Sequence, residues 1–385
     1  MSVDTKSKAG LEDVVAGESA ICFLDGERGV LAYCGYDIHD LADAERGASF
    51  EEVCYLMWHR RLPTRSELGD LQTQMAAARQ LPEAILRAMK SLPPVDGMDA
   101  LRTLTSMLAH YDRDAADRSP QASYRKAVRL TGQLGALVAT WGRLAAGGGP
   151  IAPDPALGHA ANFLYLLTGQ RPSPLAARAF DVSLVLHAYH ELNASTFAAR
   201  VAAATLTDIH SAIVAAIGTL KGPLHGGANA EVMKMLVEIG GDGGAANLDR
   251  VEAVIRGKLA RKEKVSGFGH RVYKTEDPRA THLRRLSKAL GAKAGQPQWY
   301  AMTERIEQIV KAEKGLHANV DLYSASMFYA MGIPIDLYTP IFAVSRVSGW
   351  TAHVLEQYAN NRLIRPRAEY IGPTYPQTFL RIDER

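Results

Sequence analysis

The chain has 385 residues, and at ~100–200 residues per domain that length points to two or three domains and excludes a peptide hormone or a lone binding module. Apolar residues make up 47% and charged residues 22%, a globular mix that excludes extensive disorder. With 44 Lys+Arg against 41 Asp+Glu the formal charge is only +3, so neither nucleic acid nor an anionic membrane is the default partner, and any basic function is local.

The first seventeen residues mix Lys6 and Lys8 with Asp4, Glu12 and Asp13 and carry no apolar run, which reads as neither a signal nor a transit peptide. Ser19–Leu24 and Val30–Tyr33 flank the turn Asp25-Gly26-Glu27-Arg28-Gly29 and predict a β-hairpin. Cys22, Cys34 and Cys54 are odd in number and lack CxxC spacing, so a disulfide framework or structural zinc site is not expected. From Ser49 onward the pattern is helical. Ser49 with Glu52 and Thr64 with Glu67 form S/T-x-x-E capping boxes ahead of helix-forming runs. Ala- and Leu-rich segments predict helix over 82–91, 97–115, 120–146, 158–168, 173–192, 194–220, 228–239, 247–264, 278–290, 297–314, 321–331 and 339–360. Breaks fall at 147–153, at 240–244 and after Arg362, and no apolar run reaches the ~18 residues of a membrane span. The expectation is a mostly-α protein in a soluble, reducing, cytoplasmic setting.

Four short segments look expensive for a purely structural chain. In Leu186–Asn193, His187 and His190 stand three apart on a predicted helix and could share a face, but no Cys or spaced carboxylates complete a zinc shell, so no metal is assigned. In Lys221–Asn229, His225 is surrounded by glycine and proline just before a helix start. Its backbone can approach a ligand, and the dipole end favours a neutral imidazole. The alternative is a helix C-cap and turn with an incidental histidine. In Gly267–Arg279, Asp277-Pro278 supply N-cap and N1 of the next helix, and Arg279 in its first turn suggests that a bound carboxylate or phosphate completes the charge balance. In Asn319–Ser324, Asp321 is either a helix N-cap or a functional carboxylate. The basic run 256–264 reads as a solvated helix face. Separate histidines, one carboxylate and surplus arginines are equipment for removing a proton beside a carbonyl, holding the enolate and gripping a polycarboxylate.

The stretches Gly222-Pro-Leu-His225-Gly-Gly-Ala-Asn229, Gly267-Phe-Gly-His270-Arg-Val-Tyr-Lys274, Asp277-Pro-Arg279 and Asn319-Val-Asp321 resemble, in order and spacing, the signatures of the citrate synthase family. The likeness extends to Gly10–Val15, Gly35–Leu41, His190–Thr196, Phe342–Arg346 and Leu363–Pro366 and so covers nearly the whole chain. The resemblance implies a two-domain helical homodimer: a large domain over 1–223 returning over 326–385, and a small domain over 224–325. It implies no metal or redox cofactor. Asp321 would take a proton from the methyl of acetyl-CoA, His225 would hydrogen-bond the thioester oxygen, and His270 would polarise the ketone of oxaloacetate. His190, Arg279, Arg346 and, from the partner subunit, Arg365 match the oxaloacetate clamp. The loop Val265-Ser266-Gly267-Phe268-Gly269 matches the coenzyme A contact, with Arg271 and some of Lys258, Lys262 and Lys314 placed to meet phosphates.

Where many relatives have Ile-Met before Gly-Phe-Gly-His this chain has Val265-Ser266, and where many have Pro before Asn-Val-Asp it has Ala318. Both departures bear on coenzyme affinity and leave the reaction class unchanged. The chain starts almost at the shared core, so a simple dimer without NADH control is expected. The nearest alternative is 2-methylcitrate synthase acting on propionyl-CoA, or dual specificity, because one methylene in an apolar pocket discriminates by only ~1–3 kcal/mol. A citryl-CoA lyase is a more distant alternative, since no Gly-rich phosphate loop accompanies these motifs. A non-catalytic CoA-binding homologue is opposed by the intact His225, His270 and Asp321 set.

Overall fold

The computed structural model describes residues 9–11, 14–241 and 247–385. Most of the N-terminal segment, part of the Gly10–Val15 motif and the 242–244 part of the glycine break lie outside the described residues. Strands β1 (Cys22–Asp25) and β2 (Val30–Tyr33) form the expected antiparallel hairpin, with Cys22 opposite Tyr33 and Asp25 opposite Val30. A third strand, β3 (Tyr36–Asp37), adds to β2 with Tyr36 opposite Tyr33, which the sequence reading did not foresee. The connection is only Cys34-Gly35, and both take positive φ, 48° and 88°, as a two-residue hairpin loop requires.

The rest of the regular structure is helical. It runs α1 (Ile38–Leu41), α2 (Phe50–His59), α3 (Arg65–Ala78), α4 (Glu83–Ser91), α5 (Gly97–Leu108), α6 (Pro120–Ala145), α7 (His159–Thr168) and α8 (Pro174–His187). It continues through α9 (Ala194–Ala204), α10 (Ile209–Leu220), α11 (Ala228–Gly240), α12 (Leu248–Ala260), α13 (Pro278–Lys293), α14 (Pro297–Lys314), α15 (Val320–Ala330) and α16 (Tyr338–Ala359). Both capping boxes close as expected, at Ser49/Glu52 and at Thr64/Glu67. The segment 194–220 is two helices. Leu206 turns left-handed at φ 63°, and Asp208 restarts the chain as an N-cap that accepts from the Ser211 amide. Helix α8 ends at His187, so His190 stands beyond it and the two histidines do not share a helical face. No helix among the described residues is long and apolar enough to cross a membrane.

Helix α16 is buried along nearly its whole length and packs on α6, α9 and α10, forming the centre of the apolar core. Helices α11 to α15 pack chiefly on one another, α13 against α15 and α12 against α14. Within the first group, Arg346 on α16 donates from Nε to the His187 carbonyl at the end of α8 (2.8 Å). The two groups meet where Nδ1 of His39 on α1 lies 2.9 Å from Nε2 of His282 on α13.

The hairpin tip forms another junction. The Lys274 amide donates to the Gly26 carbonyl (2.9 Å), and a Cβ added at Gly26 would lie 2.2 Å from the Val272 carbonyl oxygen. Backbone is on the opposing side, so no rotamer relieves the clash. Gly26→Ala is therefore expected to cost about 1–3 kcal/mol of stability, read as a fall in melting temperature. Gly69→Ala, on an exposed helical turn with nothing within 4 Å of the added carbon, should raise stability by ~0.5–1 kcal/mol. Equal melting curves for Gly26→Ala and the parent chain would show that the tip is not seated on this loop.

Candidate active site

The loop 265–277 and the start of α15 are tied together by backbone pairing. The Asn319 amide donates to the Gly267 carbonyl (3.0 Å), the Gly269 amide to the His317 carbonyl (3.2 Å), and Phe268 bridges to Ala318. Asn319, not Asp321, is the N-cap of α15. Its Oδ1 accepts from the Asp321 amide, while its Nδ2 donates to the Gly269 carbonyl. Gly267 holds φ 90°, and a Cβ there would press to 2.9 Å from Leu322, so loop and helix approach as closely as backbone allows. Val265, Gly267 and Phe268 are buried, Ser266 and Gly269 are half-buried, and Arg271 and Lys314 are exposed.

Asp321 sits in the first turn of α15. Burial pushes its carboxyl up to about 6. The cations of Arg279, Arg346 and Lys264 oppose that shift, and the neighbouring charge of Asp277 adds to it. His225 and His270 are both driven down to about 4, chiefly by desolvation, with Arg346 adding to the first effect and Arg279 to the second. Both imidazoles are therefore neutral at physiological pH.

Their donors settle the tautomers. His270 Nδ1 accepts from the amides of Val272 (3.0 Å) and Tyr273 (3.1 Å), so the ring proton is on Nε2. His225 Nε2 faces the Ser195 amide (3.3 Å) and the Ser195 hydroxyl (2.9 Å), so its proton is on Nδ1. Ser195 Oγ also accepts from the indole of Trp350 (3.1 Å) and lies 2.8 Å from Asn193 Oδ1. Each histidine thus has one nitrogen fixed by protein and one N–H left to offer.

His190 joins the cluster. Its ring lies 4.9 Å from that of His270, its Nε2 is 3.2 Å from the Tyr273 hydroxyl, and burial holds it well below the usual imidazole range. Arg346 is buried with 1% exposure, and its guanidinium is pushed down to about 10 by desolvation and then by Arg279. Among the described residues it has no carboxylate partner, and it lies over the Phe342 ring at 4.5 Å. Arg279 differs. Asp277 accepts from its amide, its Nε (2.9 Å) and its Nη2 (2.7 Å), so the charge balance that the sequence assigned to a bound anion is supplied from within the chain. That expectation is corrected here.

His190, His225, His270, Arg279, Arg346 and Asp321 are therefore brought into one electrostatic neighbourhood, linked through the two arginines. Arg365 is not among them. It is exposed on the non-helical tail after α16 and makes none of these contacts. Arg256 pairs with Glu252 and Glu313, and Arg261 and Lys258 pair with Glu263, so part of the basic run is a self-compensated surface. Ser195, Trp350, Tyr273 and Asp277 were not singled out as contacts of the site from the sequence. For Ser195 there was a usable signal, in that Asn193-Ala-Ser-Thr196 carries more hydroxyls than one helix cap needs.

A family model for the C-terminal domain of citrate synthase matches residues 10–367. The chain belongs to the citrate synthase family. Citrate synthase 2 of Bacillus subtilis is 53% identical over 378 residues, covering 98% of each chain. A citrate/2-methylcitrate synthase of the same organism is 45% identical over 368 residues, covering 95% of this chain and 96% of the relative. The solved citrate synthase of Thermoplasma acidophilum, in a ternary complex with carboxymethyl coenzyme A and oxaloacetate, superposes with a TM-score of 0.89 at 32% identity. It covers 98% of this chain and 99% of its own. Citrate synthase family membership makes the chain a transferase-type enzyme with a mostly helical fold, as the motifs led one to expect.

Proposed function

We propose that this chain condenses acetyl-CoA with oxaloacetate and hydrolyses the product to citrate and coenzyme A. The observation that carries the reading is a buried carboxylate of raised proton affinity that shares the cations of Arg346 and Arg279 with two neutral imidazoles, each with a free N–H, where Arg346 has no carboxylate partner among the described residues. The names of the relatives support it. In this reading the Asp321 carboxylate removes a proton from the acyl methyl group, while His225 Nδ1–H holds the thioester oxygen as it gains charge. The enol carbon attacks the ketone carbon of oxaloacetate, and His270 Nε2–H delivers the hydrogen bond and then the proton to the new alkoxide. Water then cleaves the thioester of citryl-CoA, releasing the thiol. Arg346, Arg279 and His190 hold the two carboxylates of oxaloacetate. Side chains supply every proton transfer, so the reading includes no resident metal or redox cofactor.

The same reading assigns 224–325 to a small domain and the rest to a large one, in line with the packing of α11 to α15 on one another. It also makes the protein a homodimer in which Arg365 completes the partner's site. The tail bearing Arg365 exposes Ile371 at 92% and Tyr375 at 89%, apolar surface that a second subunit would cover. Free cysteines at 22, 34 and 54 suit a reducing, cytoplasmic setting. Val265–Gly269 would receive the coenzyme by its backbone, with Arg271 and Lys314 near its phosphates.

The test is thiol release with oxaloacetate and either acetyl- or propionyl-CoA. Turnover with acetyl-CoA at the higher kcat/KM is expected. A preference for propionyl-CoA would move the assignment to 2-methylcitrate formation, one of the two activities in the name of the 45%-identical relative. The base works ionised, so kcat should fall as the pH drops through about 6, the value to which burial lifts Asp321. A profile flat down to pH 4 would show that Asp321 is not the group that titrates.

A further inference from the structure

Asp277 holds the most heavily used carboxylate in the site. It is 1% exposed, and its two oxygens accept four hydrogen bonds. Oδ1 receives the Arg279 amide (3.0 Å) and Arg279 Nε (2.9 Å), and Oδ2 receives Arg279 Nη2 (2.7 Å) and the Val320 amide (3.2 Å). Val320 is the first residue of α15, and Asp321 is the next. One side chain therefore caps α13, grips the arginine in that helix's first turn, and takes an otherwise orphaned N–H at the start of the neighbouring helix.

A buried ion pair is a poor way to gain stability, because desolvation offsets most of the attraction. Arg346, which feels the charge of Arg279, has no carboxylate partner among the described residues. The particular effect of Asp277 is geometric. It occupies the Nε and Nη2 edge of Arg279, so the guanidinium can present only its remaining edge to a ligand. It also fixes that orientation to the backbone beside Asp321.

We infer that Asp277 is a positioning residue that couples the arginine gripping the keto acid to the helix carrying the base, so that the seat of one substrate and the group activating the other keep a single geometry. The inference rests on the condensation reading above. A 1 Å error between base and carbon acid costs on the order of a hundredfold in rate, which is what such a brace prevents. Its negative charge also acts on Asp321, which otherwise faces Arg279 from α13, Arg346 from α16 and Lys264 from the preceding loop. Without Asp277, three cations would remain to lower the proton affinity of the base.

Two variants separate the coupling from a merely structural role. Asp277→Asn keeps the shape, removes the charge and places an amide N–H₂ against a donor. Its kcat should fall about tenfold or more, and the acid limb of kcat should move to lower pH by about one unit. Val320→Pro deletes the N–H that reaches Oδ2 and exchanges one buried apolar side chain for another, at a helix position that tolerates proline and after a residue, Asn319, already extended at φ −101°, ψ −177°. It should lower kcat at least fivefold while leaving the KM for oxaloacetate within about twofold, and it keeps the inference testable if the first variant does not fold. An unmoved acid limb in Asp277→Asn, or a kcat within twofold of the parent in Val320→Pro, overturns the coupling alone. A parent enzyme that releases no thiol overturns the condensation reading and the coupling with it.

Discussion

Replacing Arg346 by Met should make the unliganded protein more stable and cripple its grip on oxaloacetate. The guanidinium lies in the core with 1% exposure, has one neutral hydrogen bond to a backbone carbonyl, and shares its surroundings with the cation of Arg279. Burying a charge without a counterion costs several kcal/mol, and an unbranched apolar side chain of similar length removes that cost. The expected gain is on the order of 1–3 kcal/mol, seen as a higher melting temperature without ligand. Removing a cation that meets a buried carboxylate costs about 2–5 kcal/mol of binding, so the dissociation constant for oxaloacetate should rise by at least ~30-fold. Calorimetry and a melting curve on one preparation decide it. A variant both less stable and unchanged in affinity would place Arg346 among the structural residues.

The second large effect is on turnover. Asp321→Asn keeps size and polarity and removes the carboxylate assigned as base, while the other carboxylate of this neighbourhood, Asp277, has both oxygens engaged by Arg279 and the Val320 amide. With the imidazoles neutral and each bound at its acceptor nitrogen, no other side chain is placed to take over. General-base removal costs ~10²–10⁴ in rate, so kcat for thiol release should fall by that factor. Binding of oxaloacetate should stay within a few-fold of the parent, because Arg346 and Arg279 are untouched. Loss of less than tenfold in kcat would require a different base.

The four stretches that match the family signatures were legible because each breaks the local rule of its surroundings: glycine around His225, glycine and arginine around His270, Asp277-Pro278 ahead of Arg279, and a lone carboxylate near an apolar helix start. Helix boundaries were legible where caps announce them, as at Ser49 and Thr64. The run 194–220 read as continuous because Thr205 to Asp208 interrupt it without glycine or proline, and only a left-handed Leu206 reveals the break. Neighbours across the fold were illegible for a different reason. That Asp277 compensates Arg279 while Arg346 meets no carboxylate among the described residues depends on which oxygens and nitrogens face each other after packing, and composition carries no trace of it. Ser195 beside His225, 30 positions apart, belongs to the same class.

The hairpin at the front of the chain has its seat near the back, and this matters while the protein is being made. His39 must wait for His282, 243 positions later, and the Ala20 amide for the Glu356 carboxylate, 336 positions later. At ~5–20 residues per second of synthesis, the first strands spend roughly ten seconds to a minute outside the ribosome without their final neighbours. Their apolar faces and open edge are then available to other chains, so slowing elongation should raise this protein's demand for chaperones more than that of a helical bundle whose contacts are local.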